Sequence, residues 1–314
     1  MTTLPARRLG RTGIEVSQLG LGGYQFTGEF GVARDVARQA IRTALDGGIT
    51  FFDTAPMYGA GESEELIGGV VGDRSDIHVS DKVGYFDRTV VRHLGDEAYL
   101  DESAIRRAAE HSLHVLRRDT FDALLIHEPE WPEWRIDPTT GEAPAVRALE
   151  AMRAEGICRG IGVGGQDAAL NTRLIGTGRF DVVLSVMHYD LAVFDARDAL
   201  LPTAERHDVG VILGTPLRQG LLARRHPDPE KAMVADAERP ARARRALAKR
   251  LLAIYNLADE LEMPLPELAL RFLLSEPRVA TVIPGARSVE DVRANLAAAQ
   301  KGPLSPDVVA RILG

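Results

Sequence analysis

The chain has 314 residues, 45% of them hydrophobic and 26% charged, with a formal net charge of -7. That length suffices for one large α/β barrel or two smaller domains, and the composition is that of a globular protein, not a disordered one. The acidic balance argues against nucleic-acid binding as the main task, because neutralising a phosphate backbone needs a dense basic surface. The only cysteine is Cys158, which excludes an intrachain disulfide framework and a multi-cysteine metal site, fits a reducing compartment, and is expected to sit as a small buried hydrophobe. MTTLPARRLG at the start lacks the apolar stretch of a secretory signal, and no run reaches the ~20 apolar residues of a membrane span. The expectation is a cytoplasmic protein with no membrane or nucleic-acid partner.

In chain order, RRLGRTGIEVSQLG (7–20) reads as a hairpin over a barrel floor, and LGLGGY (19–24) as the first strand. ARDVARQAIRTALDGG follows with helical spacing, placing Val36, Ala40, Ile41, Ala44 and Leu45 on one face and Gly47 and Gly48 as a stop. ITFFDTA (49–55) and IHVSDKV (77–83) are the next strands; DESAIRRAAEHSLHVLRRD (101–119) is a helix with Asp101 as N-cap. DALLIHE (122–128) leads into a long loop, PEWPEWRIDPTTGEA, and GIGVGG (160–165), VVLSVMHY (182–189) and VGVILGTP (209–216) continue the series. After a second long segment (218–250), whose RPARARRALAKR end reads as a solvated helix, come ATVIPGA (280–286) and SVEDVRANLAAAQ, a helix with a Ser288 to Asp291 capping box.

Eight continuous apolar strands alternating with helices predict an α/β fold, a (β/α)8 TIM barrel with an N-terminal β-hairpin; a doubly wound sheet is the alternative. No Gly-, Ser- or Pro-rich linker divides the chain and no repeat is present beyond the alternation, so residues 1–314 are expected to form a single domain. Asp53 then ends the second strand, Tyr58 lies just beyond it, Lys82 ends the third and His127 the fourth, all on the rim where barrel sites are built. Taken singly, each has a structural reading; four at corresponding strand ends point to chemistry. A buried Lys82 needs a carboxylate, and Asp53 on the neighbouring strand is the available one. Lys82 beside the Tyr58 hydroxyl is expected to favour the phenolate and lower a pKa that is ordinarily about 10, so that Tyr58 can pass a proton to a substrate oxygen. His127 is placed to orient a carbonyl and share in that transfer.

Those residues carry a resemblance. Over nearly its whole length the chain resembles an aldo-keto reductase, in GGITFFDTAPMYGAGESEELIG, SDKV, LLIHEP, GIGVGG, VGVILGTPLRQGLL and VIPGARSVEDVRANLAAA. The resemblance implies a barrel with no Rossmann domain that binds NAD(P)H extended across its C-terminal face. It implies Asp53, Tyr58, Lys82 and His127 as the catalytic tetrad, with Tyr58 as general acid or base and hydride passing between nicotinamide and substrate carbon. No metal is implied.

The cofactor positions follow from the resemblance in part. Where the family has a Ser-Asn pair holding the carboxamide, this chain has Gly164 and Gly165; Ser185 stands for a Gln, and Gly214 for an aromatic that stacks on the nicotinamide. TPLRQG matches the run whose backbone amides hold the pyrophosphate, giving Thr215, Pro216, Leu217 and Gly220 as contacts, with Arg218 a further charge or a solvated loop residue. Gly285, Arg287, Asp291 and Asn295 fall at the adenosine half. Arg287 favours a 2′-phosphate and Asp291 repels one, leaving NADP(H) slightly ahead of NAD(H) on family frequency. Tyr24, Tyr85, Trp131, Trp134 and His188 are the substrate-pocket candidates, with Phe26, Phe86 and Tyr189 beside them. IGVG and VGVILGTPLRQGLLA resemble the sugar and pyridoxal dehydrogenase branch. The expected partner is a small carbonyl or sugar-like substrate, and the expected state a monomer. Two other functions compete: a cofactor-binding regulatory barrel of the kind that accompanies potassium channels, and a Schiff-base lyase or isomerase, which a protonated Lys82 beside Asp53 disfavours.

Overall fold

The computed structural model describes residues 4–233 and 240–314; the first three residues and 234–239, inside the long segment after the seventh expected strand, lie outside the described residues. The chain opens with an antiparallel hairpin, β1 (Ala6–Arg8) and β2 (Glu15–Ser17), in the register Ala6 to Ser17 and Arg8 to Glu15. Eight parallel strands follow: β3 (Leu21–Gly22), β4 (Phe51–Asp53), β5 (His78–Val83), β6 (Phe121–His127), β7 (Cys158–Gly165), β8 (Val182–Val186), β9 (Gly210–Gly214) and β10 (Thr281–Ile283). Each pairs with the next in sequence order. Bridges from Leu19 to Val282 and from Gly22 to Gly285 join the first strand to the last. The expected (β/α)8 barrel with its hairpin is therefore present. β3, β4 and β10 are shorter than their apolar runs, with single bridges and backbone bonds continuing the pairing beyond them, as at Leu19, Thr54 and Gly285.

Helices α1 (Arg34–Asp46), α2 (Glu62–Val71), α3 (Glu102–Leu116), α4 (Pro144–Ala154), α5 (Ala168–Gly176) and α6 (Leu200–Arg206) each follow one strand from β3 to β8. α7 (Pro229–Ala232), α8 (Ala241–Glu260) and α9 (Leu265–Leu274) follow β9, and α10 (Val289–Gln300) and α11 (Pro306–Leu313) follow β10. Asp101 caps α3 by accepting from the Ser103 and Ala104 amides, as its position predicts. On α1 the buried stripe is Ala37, Ala40, Ile41 and Ala44, while Val36 is exposed and Leu45 only half-buried. The expected face is thus rotated by part of a turn: small alanines let the helix approach the barrel, and Val36 falls on the outer side.

Two apolar layers hold the barrel. The outer one lies between strands and helices; the inner one consists of Phe51, Ala123, Leu125, Val182, Leu184, Ile212, Ala280 and Ile283, plugged from the N-terminal end by Leu9, Ile14 and Val16 of the hairpin. Gly10 seats that plug, with φ +51 and a position where a Cβ would lie 2.1 Å from the Gly210 amide nitrogen, so only glycine fits. β7 contributes almost nothing to the interior because a side chain on Gly162 would meet Val182 O at 2.3 Å and Leu125 Cδ2 at 2.5 Å. Leu125 and Leu184 fill the middle instead, and the polar residues are left for the rim.

Candidate active site

β4, β5 and β6 are neighbours, and their last inward residues are Asp53, Lys82 and His127. Phe52 on β4 faces the outer layer with Val79 and Val83 of β5, so the period of two along each strand turns Asp53 and Lys82 to the opposite side. Asp53 and Lys82 are 3% and 2% exposed. Lys82 Nζ donates to both Asp53 carboxylate oxygens, at 2.9 and 2.8 Å, and to the Thr54 carbonyl at 2.7 Å. Ser80 Oγ donates to Asp53 at 2.7 Å; this second brace on the acid has no signature in the sequence beyond its place two residues before Lys82.

Tyr58 reaches back over this pair from the loop after β4, where its amide donates to Ala55 O. The residue is half-buried, and its hydroxyl lies in a dense environment where the Lys82 charge acts on it. The Lys82 ammonium lies 4.8 Å from the Tyr58 ring centroid, and the His127 ring is edge-on to it at 5.9 Å. Burial works against the Lys82 charge, but Asp53 and Tyr58 outweigh it and hold the ammonium above its ordinary pKa. The phenol of Tyr58 is pushed up to about 12, first by burial, with Lys82 pulling down and Asp53 adding to the rise. The expectation of a lowered Tyr58 pKa is reversed: desolvation raises it more than the Lys82 charge lowers it, and Asp53 adds to the rise. His127 is held well below its usual range by burial and then by Lys82, so the imidazole is neutral. At neutral pH the site contains an ion pair, a protonated phenol and an uncharged imidazole.

The substrate candidates divide. Tyr24 is exposed beside Tyr58, with centroids 4.9 Å apart. Tyr85 packs against His127 at 4.9 Å and against half-buried Trp131 at 4.5 Å. These three rings surround the mouth. Trp134 does not belong to it: it is fully buried, and its indole N–H donates to the His127 carbonyl at 3.0 Å, fixing the end of β6. Phe26 and Phe86 are core residues, and Tyr189 stacks on Phe272 with its hydroxyl near Glu276. His188 braces the rim through Nε2 and the Gln166 carbonyl, at 2.5 Å, with Asp195 3.6 Å from Nδ1.

The cofactor candidates fall on adjacent strand ends. Gly164 and Gly165 pair with Leu184 and Ser185, and Gly214 pairs with Val186 and Ile283, so β7 to β10 present one continuous arc. A side chain on Gly164 would meet only ordinary contacts, including Lys82 Cε at 3.9 Å; at Gly165 a Cβ would lie 2.2 Å from Glu130 Oε2. Ser185 is buried with no partner for its hydroxyl among the described residues. Thr215, Gln219 and Gly220 all have left-handed backbone, bending the loop after β9, with Pro216 buried and Leu217 half-buried between them. Arg218 is buried and paired with Asp190 at 2.6 Å, also donating to Met187 O. It ties the loops after β8 and β9 together and is neither a solvated residue nor an open charge. Gly285 lies under the Gln25 side chain. Ser288 accepts from the Asp291 amide, and Asp291 accepts from the Arg287 amide at 2.8 Å, so the capping box reaches one residue further than expected. Arg287 is exposed, 5.0 Å from the Phe30 ring, and Asn295 is buried on α10.

Cys158 is buried, its thiol pushed up to about 12 by desolvation. Among the described residues no cluster of three or more His, Cys, Asp or Glu could hold a metal, and no helix is long and apolar enough to cross a membrane.

Known proteins resemble this chain in sequence and fold. The model of the "Aldo/keto reductase family" matches residues 18–313. L-galactose dehydrogenase of Arabidopsis thaliana is 32% identical over 95% of this chain and 89% of its own. D-threo-aldose 1-dehydrogenase of a Pseudomonas species is 28% identical over 87% and 86%. Among solved structures, an aldo-keto reductase of Bacillus halodurans in its holo form superposes with a TM-score of 0.78 at 26% identity, covering 99% of this chain and 95% of that one. One from Klebsiella pneumoniae in complex with NADPH gives 0.71 at 25% identity, covering 99% and 94%. The matched segment holds the barrel and all four residues of the buried cluster, and the chain belongs to the aldo/keto reductase family, as an NAD(P)-dependent oxidoreductase.

Proposed function

We propose that Tyr58 is the proton-transferring group of this oxidoreductase, that the substrate is a sugar-like hydroxyl or the corresponding carbonyl, and that NADP(H) is preferred to NAD(H). The observation that carries the reading is the buried Asp53–Lys82 pair beneath a protonated Tyr58 and beside a neutral His127. A bound nicotinamide supplies the hydride acceptor or donor. The Lys82 charge stabilises negative charge that develops on the Tyr58 oxygen as the phenol gives up its proton to a carbonyl oxygen; in the oxidative direction Tyr58 receives that proton. Asp53 keeps Lys82 charged. His127, uncharged, offers a ring nitrogen to the same substrate oxygen without competing as an acid.

The rim of β7 to β10 suits the dinucleotide. The unpartnered Ser185 hydroxyl and the space above Gly164 and Gly214 suit the nicotinamide, and the left-handed turn at Thr215 to Gly220 suits the pyrophosphate. At the adenosine end Asp291 is engaged by a backbone N–H while Arg287 is exposed at the start of α10. Cation and helix N-terminus together favour a 2′-phosphate, which supports NADP(H). The rings of Tyr24, Tyr85 and Trp131 suit the C–H faces of a sugar, and two sugar dehydrogenases are among the relatives. In this reading the whole chain acts as one cytoplasmic barrel domain, working as a monomer.

The test is a panel of aldoses, aldehydes and ketones with each cofactor, followed by nicotinamide absorbance in both directions, beside Tyr58→Phe. The variant should lose about 10²- to 10⁴-fold in kcat with cofactor affinity near wild type. No turnover by wild type at any pH, or retained activity in the variant, removes Tyr58 from this role.

A further inference from the structure

Glu128 follows His127 directly, in a conformation that costs energy: φ is +50°, and the amide is pinned to Gly164 O at 2.7 Å. Tyr85, also left-handed at φ +52°, donates its hydroxyl to Glu128 Oε2, and Gln166 Nε2 donates to Oε1 at 3.0 Å. Loops after three consecutive strands, β5, β6 and β7, thus converge on one carboxylate. Non-glycine residues in this region are held there by their surroundings and concentrate where a side chain must be aimed. The Glu128 side chain is only half-buried, and a carboxylate has about four lone-pair positions, of which these bonds use two. The remaining acceptor positions belong to a carboxylate held by Tyr85, whose ring packs against those of His127 and Trp131. Burial and Glu128 both keep the Tyr85 phenol protonated, so Tyr85 remains a donor and the acceptor capacity stays with the acid.

We propose that Glu128 is a specificity-determining residue that accepts hydrogen bonds from substrate hydroxyls near the reacting carbon, selecting polyhydroxylated substrates over simple aldehydes. Tyr85 and Gln166 are its positioning residues. The mouth then reads a cyclic polyol on two sides, with rings against its C–H faces and an aimed carboxylate for its hydroxyls. This rests on the substrate reading above and adds the residue that enforces it.

Two measurements test it on Glu128→Gln, which keeps size and one acceptor but removes the charge. First, kcat/KM is compared for aldoses and for benzaldehyde. A lost charge-assisted bond is expected to lower the aldose value by about 10- to 100-fold, at least 10-fold more than the benzaldehyde value. Equal losses would mean that Glu128 only supports His127, and would overturn the proposal. Second, 1,5-anhydrohexitols, cyclic polyols with no anomeric hydroxyl to oxidise, are titrated against tryptophan fluorescence, with and without NADP⁺. Wild type should bind at least one, with affinity falling at least 10-fold in the variant, while NADPH affinity changes less than twofold. Failure of wild type to bind any, equal affinity in the variant, or a loss confined to NADPH overturns the proposal. Polyol binding that depends on Glu128 in a protein that turns over nothing would instead overturn the oxidoreductase reading and leave Glu128 standing.

Discussion

Asp53→Asn removes the counter-charge of a lysine that is 2% exposed while leaving shape almost unchanged. Three bonds are disturbed, two from Lys82 Nζ at 2.9 and 2.8 Å and one from Ser80 Oγ at 2.7 Å. The new amide oxygen can accept only part of this set, and its NH₂ faces another donor, so Lys82 keeps the Thr54 carbonyl and loses its anion. Breaking one side of a buried ion pair costs about 3 to 5 kcal/mol, whereas replacing both sides with groups of similar volume is often close to neutral. Asp53→Asn should therefore lower the unfolding free energy by about 3 to 5 kcal/mol in denaturant titrations with unchanged m-value, and Lys82→Met in the same chain should restore most of it. Neither protein should turn over substrate, since one lacks a firmly charged Lys82 and the other lacks Lys82 altogether. An Asp53→Asn protein as stable as wild type, or a double variant less stable than the single one, would refute the claim that this pair is held by mutual compensation.

Glu64 and Asp81 interact behind β5, each with a buried carboxylate oxygen that has no hydrogen-bond partner among the described residues, and burial pushes Glu64 up to about 7 and Asp81 upward as well. Between about 4.5 and 7 the folded protein holds a proton that the unfolded chain has released, so stability falls as pH rises through that window. Glu64→Gln should leave thermal melts near wild type at pH 5 and raise Tm by about 2–6 °C at pH 8; the same gap at both pH values would exclude a shared proton. Along β7, Gly162→Ala should destabilise by about 1 to 3 kcal/mol through overpacking, because its Cβ meets a backbone oxygen at 2.3 Å. Gly164→Ala, which finds only ordinary contacts, should be neutral or stabilising by up to about 1 kcal/mol. Melts of the two variants side by side check the difference.

The eight strands and the four polar rim residues were legible from the chain because both depend on short-range pattern. Buried parallel strands need continuous apolar runs, and a polar side chain that ends such a run, as Asp53, Lys82 and His127 do, lies at the strand's exit wherever the strand sits in space. The resemblance put the expected cofactor positions at the ends of the last four strands, and those strand ends are adjacent. What tertiary structure alone decided are the quantities that depend on what surrounds a side chain from several elements at once. The Asp53–Lys82 pair forms as the strand ends imply, yet desolvation of the Tyr58 phenol outweighs the Lys82 charge and sets the sign of its pKa shift. Trp131 and Trp134 stand three residues apart in one loop, but only the first reaches the mouth, because a one-turn helix at Pro132–Trp134 swings the second inward to bond the His127 carbonyl. Glu128 stood in plain view within LLIHEP with no role assigned; its aim comes from Tyr85 and Gln166, which lie 43 and 38 residues away along the chain and meet it only when the barrel closes.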